Sequence, residues 1–354
     1  MHKVNNQRSI SSLLAKVLSG SWRKTWADFD ISEDELGSLN PLLQGSGAGG
    51  LGWWRIRHLN LETLPTGEQL LASYRLQTLQ AARHHLNIQA IFTLMNQAGI
   101  EPILVKGWAS ARLYPAEGLR PYGDVDLVLR PQDIEKAKAL MNSPAGRDYW
   151  VDFEHEDLER LDERDIEALF AHSRRIKLGN TDVRVMGEED HLRFLSIHLL
   201  RHGAWRPLWL CDIAVVVESR KPDFDWQRCF GRDEKQADWV LSTIRLAHEL
   251  LGADIKDTPA ENKVLPKWLV PTVLKQWDQP CSAEHRPPEL IMTTLRHPQR
   301  IPKAIRERWP DPISASIRMN APFNELPRLP FQVANYIVSL TRFVTRLSDL
   351  LNRK

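Results

Sequence analysis

The segment between residues 103 and 129 constrains the fold more than any other part of the chain. Ile103-Leu104-Val105 is a short apolar run of the kind that forms a buried strand. Lys106-Gly107 then turns the chain into a helical stretch that Pro115 ends, and Val125 to Leu129 is a second apolar run. Two strands separated by a short helix predict a small sheet at the centre of this region.

Further strands are predicted beyond this segment. Tyr149 to Phe153 has the aromatic and β-branched composition of a strand. Arg175 to Val185 predicts one or two more, broken by the turn residues Gly179-Asn180. Together with the first two strands, these would make a small mixed sheet.

Helical patterns flank the predicted sheet on both sides. Apolar residues recur at three- and four-residue spacing between 66 and 98, with Gly99 as the expected stop, and the chain after Glu188 is mainly helical. We therefore expect an α+β fold with flanking N-terminal and C-terminal helices. Its expected parts are an N-terminal helical cap with a Gly-rich loop (1–64), an α/β core (65–187) and a mainly helical C-terminal region (188–354).

The Gly-rich loop is the stretch Gly45-Ser46-Gly47-Ala48-Gly49-Gly50, which formally matches the G-x-G-x-x-G dinucleotide fingerprint. The fingerprint needs a strand before it and a helix after it. No apolar strand precedes this stretch, and Leu51-Gly52-Trp53-Trp54 does not have the pattern of a helix start. The sequence favours a flexible loop over a nucleotide site here.

Composition places the chain among ordinary folded proteins. Hydrophobic residues make up 42% and charged residues 26%. The longest apolar runs, such as Cys211 to Val217, fall short of the ~20 residues that a membrane-spanning helix needs, and Met1 to Arg8 lacks the apolar core of a signal peptide behind it. Three cysteines without CxxC spacing fit a reducing compartment. We expect a cytoplasmic protein without a membrane span.

The charge of the chain argues against a dedicated nucleic-acid binder. The formal net charge is only +2, whereas neutralising a phosphate backbone needs a dense basic stripe. Arg296 to Arg308 is the most basic stretch, and we interpret it as solvated surface. The sequence therefore carries no strong nucleic-acid signal.

Two acids at the start of the second strand are the strongest candidates for chemistry. Asp124 and Asp126 stand at i and i+2, a spacing that directs both carboxylates to one face of a strand. There they could share divalent cations, which prefer hard oxygen ligands. The alternative is an ordinary solvent-facing strand end, because a lone D-x-D is common.

The surroundings of this acid pair favour a site for a phosphorylated ligand. Upstream, Lys106-Gly107 brings a backbone without a β-carbon and a helix start close to an anion. Arg120 lies near enough in sequence to add a planar cationic fork. The alternative is an ordinary turn with solvated charges.

A third acid is expected to complete the set. Asp152 and Glu154 lie on one face of the predicted neighbouring strand. Either could hold a metal ion or accept the proton of an attacking hydroxyl. We prefer Asp152 and keep Glu154 as the alternative.

Three runs stand together in the core segment: Ile103-Leu104-Val105-Lys106-Gly107, Leu113-Tyr114-Pro115 and Leu119-Arg120-Pro121-Tyr122-Gly123-Asp124-Val125-Asp126-Leu127. In this order they resemble the uncharacterised bacterial nucleotidyltransferase family of the DNA polymerase beta superfamily. The similarity continues through Asp212-Ile213-Ala214 and covers roughly residues 65 to 220. It implies a nucleotidyltransferase core in which two Mg²⁺ ions act on an NTP and an unknown hydroxyl acceptor.

The resemblance also implies roles for particular residues. Asp124, Asp126 and, near the family's third acid, Asp152 would be the catalytic Mg²⁺ ligands. Gly107 would let the triphosphate approach, and Lys106 and Arg120 would contact phosphate.

One departure from the superfamily pattern motivates a second hypothesis. The glycine is commonly followed by serine or another small residue, whereas Trp108 follows Gly107 here. Its bulk would crowd or remove a phosphate contact. The alternative is therefore a non-catalytic protein of this fold that acts in binding or assembly within a biosynthetic pathway.

Other residues with chemical potential receive structural interpretations. His191, His198 and His202 share one side of a predicted helix, and the last two have a zinc-like i, i+4 spacing, but leucines on the same helix favour packing over a metal. Trp205 and Trp209 could stack on a base, although core packing is the favoured role. Asp212 lies inside an apolar helix, and we expect it to neutralise Arg201 or a histidine.

Overall fold

A computed structural model describes residues 9–25, 29–154, 166–279 and 308–352, together with residues 299 and 306. These residues form 14 α-helices, one 3-10 helix (Pro131–Asp133) and five strands, which confirms the α+β prediction. The helices are α1 (Ile10–Leu18), α2 (Glu33–Gly45), α3 (Gly49–Ile56), α4 (Pro65–Gln97), α5 (Gly107–Ala111), α6 (Ile134–Asn142), α7 (Ile166–His172), α8 (Glu188–Arg201), α9 (Pro207–Glu218), α10 (Trp226–Phe230), α11 (Glu234–Leu251), α12 (Leu269–Trp277), α13 (Pro312–Arg318) and α14 (Leu329–Asn352). The strands are β1 (Ile103–Val105), β2 (Val125–Val128), β3 (Val151–Phe153), β4 (Arg174–Leu178) and β5 (Thr181–Val185).

The five strands form one mixed sheet in the order β3-β2-β1-β5-β4. The central strand β1 is antiparallel to β2 and parallel to β5, while β3 is parallel to β2 and β4 is antiparallel to β5. The register pairs Val105 with Asp126, and Asp126 in turn with Asp152. Because paired residues point to the same face of a sheet, the carboxylates of Asp126 and Asp152 are neighbours.

The strands and the long helix before them follow the sequence pattern closely. All three residues of β1 are buried, as the apolar run predicts. The hairpin of β4 and β5 turns at Gly179-Asn180, and Gly179 has a positive φ of 56°. Helix α4 ends two residues before Gly99, whose φ of 70° is the left-handed conformation that favours glycine.

Helices cover both faces of the sheet. On one face, Ile91, Phe92 and Met95 of α4 pack against the sheet residues Leu104 and Leu127. On the other face, α7 and α8 pack against strand residues that point the opposite way, such as Ile103 and Val105. This is a three-layer arrangement in which alternate residues of each strand enter different cores.

A third and larger hydrophobic core lies outside the sheet. Helices α1, α2 and α3 contribute to it together with α8, α9, α11 and α12. The backbone N–H of Ser11 donates to the carboxylate of Asp278 at 2.9 Å, which joins α1 to the end of α12. The N-terminal helices and the C-terminal helices, which are far apart in the sequence, therefore share one core. The boundaries of the three expected parts stay a prediction.

The prediction of a flexible loop at residues 45–50 is wrong. Gly45 is the last residue of α2, Gly49 begins α3, and Gly49 and Gly50 are buried. Only Gly47 makes a turn that requires a positive φ, at 79°. Gly49 and Gly50 let α3 lie so close to α4 and, at Gly50, to the backbone of Gly118 that a side chain would not fit without displacement of its neighbours.

Two further expectations concern the rest of the chain. Within the described ranges, no helix combines the length and the apolar character that a membrane span requires. The basic stretch from Arg296 to Arg308 lies mostly outside the described residues.

Two glycine substitutions test this account of the 45–50 corner. Gly50→Ala should lower the free energy of unfolding by about 1–3 kcal/mol, because a Cβ there would lie 2.6 Å from the carbonyl oxygen of Gly118. Gly37→Ala, inside α2, should raise it by up to about 1 kcal/mol, because its Cβ would meet only the Thr66 hydroxyl at 3.7 Å and alanine favours helix. Denaturant unfolding of both variants measures the difference, and equal effects would contradict the close crossing.

Candidate active site

Two adjacent strands bring three of the four predicted acids together: Asp126, Asp152 and Glu154. Asp124, which precedes β2, is outside this group and lines the adjoining cavity. Asp126 lies within β2 and is 4% exposed, whereas Asp152 in β3 is exposed and Glu154 immediately follows β3. One carboxylate oxygen from each of these three acids lies within 4.8 Å of the others. The backbone N–H of Glu154 donates to the carbonyl of Leu127 at 2.9 Å, which holds this residue in line with the sheet. Both Asp152 and Glu154, the two candidates for a third acid, thus belong to the cluster.

Lys106 is the positive partner of this acidic cluster. Its ammonium donates to Asp126 Oδ1 at 2.9 Å and also to Glu154. The burial of Lys106 lowers its pKa, but the charges of Asp126 and Glu154 outweigh burial, so its pKa is raised and the ammonium stays charged. In the structure the ammonium of Lys106 lies among the carboxylates. The phosphate contact that the sequence predicts for this lysine stays a prediction.

The backbone of Lys106 is strained. Its φ and ψ are 52° and −150°, a combination that is comfortable only for glycine and costs a side-chain-bearing residue on the order of 1–3 kcal/mol. Such strain persists only where the surrounding structure enforces it. Here the strain places a lysine at the point where β1 turns into α5, directly beside the acids.

The acidic cluster carries more negative charge than Lys106 offsets. Burial raises the pKa of Asp126; the Lys106 ammonium lowers it in part, and the charges of Asp124 and Glu154 raise it further. The net effect is an upward shift, even though the carboxylate has an ion-pair partner. Burial is the largest cause of this shift, so the charge excess of the cluster follows from its composition, which is three carboxylates against the one ammonium of Lys106.

A cavity of about 260 Å³ opens beside the cluster; Asp126 lines it, whereas Asp152 and Glu154 are not among its lining residues. At Gly107, whose φ is 41°, a Cβ would meet nothing closer than Tyr122 Cβ at 3.6 Å, so there is space above the backbone. The hydroxyl of Tyr122 is buried and has no hydrogen-bond partner within the described residues. A cavity of about 310 Å³ beside α11 contains none of the predicted site residues. The site cavity is lined by Lys106, Gly107, Arg120, Pro121, Tyr122, Gly123, Asp124, Asp126, His198, Arg206 and Trp209.

Arg120 lines the cavity, but its guanidinium is held by a buried acid. Nη2 donates to Asp212 Oδ2 at 2.7 Å, Nε donates to the same oxygen at 3.1 Å, and Nη1 donates to the Pro121 carbonyl. The hydroxyl of Tyr114 also donates to Asp212, at 2.8 Å. Asp212 is therefore structural, as predicted, but its partner is Arg120 and not Arg201 or a histidine. A phosphate contact by Arg120 stays a prediction.

Trp108 does not line the cavity. Its side chain is 7% exposed and packs in the core between α4 and the sheet, with its ring edge-on to His85 at 6.3 Å. The residue after Gly107 thus points into the protein, where a large apolar side chain is useful. The crowding expected from the sequence does not occur in the cavity lining.

The three histidines of α8 have unequal surroundings. His191 is fully buried, and burial together with the charges of Arg112 and Arg120 lowers its pKa to about 3, so its ring is neutral. His198 is buried, stacks on Phe194 and lies 4.6 Å from the His202 ring. These contacts are those of packing, as predicted. His198 nevertheless borders the cavity.

Two residues that line the cavity were not predicted as site residues. Arg206 was not considered from the sequence, and Trp209 was expected to pack in the core. Arg206 Nε donates to the Ser46 carbonyl at 2.8 Å, and its guanidinium lies 5.7 Å from the Trp209 ring centre. A Cβ on Gly47 would come within 2.7 Å of this guanidinium. The only signal in the sequence was the proximity of Arg206 to Trp205 and Trp209, and its contact with the Gly-rich corner could not be read from spacing.

This geometry defines an α+β protein with clustered carboxylates beside a glycine turn. A family model described as an uncharacterised nucleotidyltransferase matches residues 42–252, more than half of the chain. The chain belongs to this family, and the matched region contains every residue of the cavity. Comparison with curated proteins gave no match, and neither did comparison with solved structures.

Removal of the carboxylate that pairs with Arg120 should lower the free energy of unfolding. Asp212→Ala leaves a buried guanidinium without its carboxylate, which costs about 3–5 kcal/mol. The double variant Arg120→Met/Asp212→Leu removes both charges and should lose clearly less stability, because no ion remains buried alone. Denaturant unfolding compares the two, and a double variant less stable than Asp212→Ala would refute this role for the pair.

Proposed function

We propose that the protein is a metal-dependent nucleotidyltransferase of the DNA polymerase beta superfamily. It transfers a nucleoside monophosphate from an NTP to a hydroxyl acceptor and releases pyrophosphate. The observation that supports this proposal is the cluster of three carboxylates on neighbouring strands, of which Asp126 reaches a cavity that Asp124 and Gly107 also line. Membership of a nucleotidyltransferase family points to the same reaction class.

The residues present fit a divalent cation. Carboxylate oxygens are the hard ligands that Mg²⁺ prefers, and the cluster sets three carboxylates against the one ammonium of Lys106. We assign Asp124, Asp126 and Asp152 as ligands for two Mg²⁺ ions, with Glu154 as the alternative third acid. Bound Mg²⁺ would neutralise phosphate charge and favour an in-line displacement.

The substrate triphosphate needs space and positive charge next to the acids. We assign the approach of the triphosphate to Gly107, where a β-carbon is absent and the space above the backbone is open. Lys106 and Arg120 are the phosphate contacts proposed from the family resemblance, and Arg206 joins them because it lines the same cavity. The planar guanidinium of an arginine suits phosphate oxygens geometrically.

The proposed transfer makes and breaks one bond at the α-phosphorus of the NTP. The acceptor oxygen attacks this phosphorus, the bond to the oxygen that bridges to the β-phosphorus breaks, and pyrophosphate leaves. The hydroxyl proton passes to a carboxylate of the protein. We assign this role to Asp152, because it is exposed to an entering acceptor, whereas Glu154 accepts a hydrogen bond from Lys106.

The second candidate is a non-catalytic protein of this fold that acts in binding or assembly. Its motivation was the bulk of Trp108 beside Gly107, together with the large helical regions that the family resemblance does not cover. Because Trp108 packs in the core instead of lining the cavity, this residue no longer favours the alternative.

Calorimetry with magnesium and each of the four NTPs tests the proposal. The protein should bind at least one NTP in a magnesium-dependent manner, and Asp126→Asn should abolish this binding because a central carboxylate is lost. Asp182→Asn is the matched control, since Asp182 lies on β5 of the same sheet and pairs with Lys177 at the surface. It should bind NTP as the unchanged protein does.

The products separate the two candidates. An enzyme should release pyrophosphate from the bound NTP in the presence of an acceptor, and Asp124→Asn should abolish this release. Failure to bind any magnesium-NTP complex would refute both the reaction and the metal assignment. Magnesium-dependent binding that Asp126→Asn leaves intact would refute the assigned site.

The position of Lys106 leads to a separate expectation about metal affinity. Lys106→Met should tighten the binding of Mn²⁺ in the absence of nucleotide by about tenfold or more, because a unit charge at ~4 Å is worth about 4 kcal/mol at an effective dielectric constant of ~20. Lys177→Met, which removes an exposed lysine on β4, should leave the affinity unchanged. Mn²⁺ titration followed by electron paramagnetic resonance measures both. Equal affinities in the two variants would show that the ammonium does not compete with a metal.

A further inference from the structure

The cavity has two walls of different chemistry. The wall nearer the sheet carries the carboxylates of Asp124 and Asp126 and the ammonium of Lys106. The wall from the helices carries the aromatic rings of His198 on α8 and Trp209 on α9. An NTP is divided in the same way, because its triphosphate binds metal ions and cations while its base is a flat aromatic ring. The two walls therefore match the two ends of a nucleotide.

Trp209 is the aromatic side chain of α9 that opens into this cavity. The helix has 12 residues, and all of them are buried except Trp209 and Glu218. Glu218 is the last residue of the helix, and its carboxylate pairs with Arg23. Trp209 lies in the first turn, is half-buried and lines the cavity. Part of its indole ring is therefore accessible from the cavity, although the rest of the helix is enclosed by the core.

Neighbouring rings fix the orientation of this indole. The ring of Trp205 is nearly perpendicular to it, at 72° and 5.4 Å between ring centres, and so is the ring of His198, at 71° and 4.7 Å. The His202 ring lies 5.4 Å away on the same cluster. Because this packing already restricts the rotamers of Trp209, little conformational entropy is lost when a ligand stacks on the ring.

Two polar groups accompany the ring. The indole N–H of Trp209 donates to no acceptor among the described residues, although a tryptophan N–H usually has a partner when it is buried. The guanidinium of Arg206 lies 5.7 Å from the centre of the indole ring. A cation beside an open aromatic face suits a ligand in which a flat ring is joined to an anion, and a nucleotide is such a ligand.

We propose that the nucleobase of the NTP stacks on Trp209 and that this contact favours purines over pyrimidines. The inference rests on the proposed function, because it concerns the base of the nucleotide whose triphosphate lies at Gly107. Every base has a π-face that can stack, and differences in stacking strength give modest base preferences. The two fused rings of an indole overlap a two-ring purine more fully than a one-ring pyrimidine. Trp209 is thus a specificity-determining residue.

Substitutions of Trp209 in the full-length protein separate stacking from packing. Trp209→Leu keeps an apolar side chain but removes the ring, and it should weaken the binding of magnesium-ATP and magnesium-GTP by about 5- to 150-fold. Trp209→Phe keeps an aromatic ring and should retain most of the affinity. Trp226→Leu is the matched control, because Trp226 is also half-buried among rings, those of Phe224 and Phe230, but does not line the cavity. Calorimetry measures all four proteins.

Magnesium tripolyphosphate is the probe that isolates the contribution of the base. It has the three phosphates of an NTP but neither sugar nor base. Trp209→Leu should therefore bind it as tightly as the unchanged protein does, whereas Asp126→Asn should not bind it. Circular dichroism and denaturant unfolding check that Trp209→Leu is folded, so that a loss of NTP affinity cannot be attributed to unfolding.

Failure of this inference differs from failure of the proposed function. Magnesium-NTP binding that requires Asp126 but survives Trp209→Leu would refute stacking and leave the proposed function intact. Equal losses for NTP and tripolyphosphate, or equal losses in Trp209→Leu and Trp209→Phe, would also refute it, because the ring would then support the cavity and not the base. Tighter binding of CTP or UTP than of ATP or GTP would refute the purine preference.

A protein that binds no magnesium-NTP complex would refute the proposed function, and nucleosides then decide the inference. Adenosine and guanosine carry the base without phosphate, and saturation-transfer NMR detects their weak binding. Nucleoside binding that Trp209→Leu abolishes and Trp226→Leu preserves would uphold the aromatic subsite. Absence of nucleoside binding in the unchanged protein would refute it.

Discussion

The buried ion pair between Arg120 and Asp212 is the interaction on which the candidate site depends. Arg120 belongs to the segment that leads into Asp124, and Asp212 belongs to α9. Both side chains are almost fully buried, so each charge has lost its hydration and is tolerable only with the other in place. The pair therefore fixes the segment before β2 against the helical part of the protein.

This attachment gives the cavity two sources of side chains. The sheet supplies the acids, Lys106 and the glycine turn. The region of α8 and α9 supplies His198, Arg206 and Trp209. Because α9 carries both Asp212 and Trp209, the pair that anchors Arg120 also determines where an aromatic ring lies relative to Asp124. Substitution of Asp212 would therefore alter the arrangement of side chains in the cavity as well as lower the free energy of unfolding.

The sequence predicted the parts of the site that depend on local pattern. The apolar run of β1, the turn at Lys106-Gly107 and the i, i+2 spacing of Asp124 and Asp126 are all readable over short stretches. The partners of the basic residues are not, because Lys106 meets Glu154 across 48 residues and Arg120 meets Asp212 across 92. Which acid neutralises which cation depends on strand order and helix packing, which spacing along the chain does not encode.

The Gly-rich corner shows why a motif must be interpreted with its neighbours in space. Helix α2, and not a strand, precedes it, but the interpretation as a flexible loop is wrong, because glycine also permits close contact between elements. Here that contact reaches the cavity: the Ser46 carbonyl accepts a hydrogen bond from Arg206, and Gly47 leaves room for the guanidinium. The matched family region begins at residue 42 and so includes this corner. At this corner Gly47 leaves room for a cavity-lining arginine, while Gly49 and Gly50 allow α3 to lie close to α4, so two different contacts explain why small residues occur where α2 meets α3.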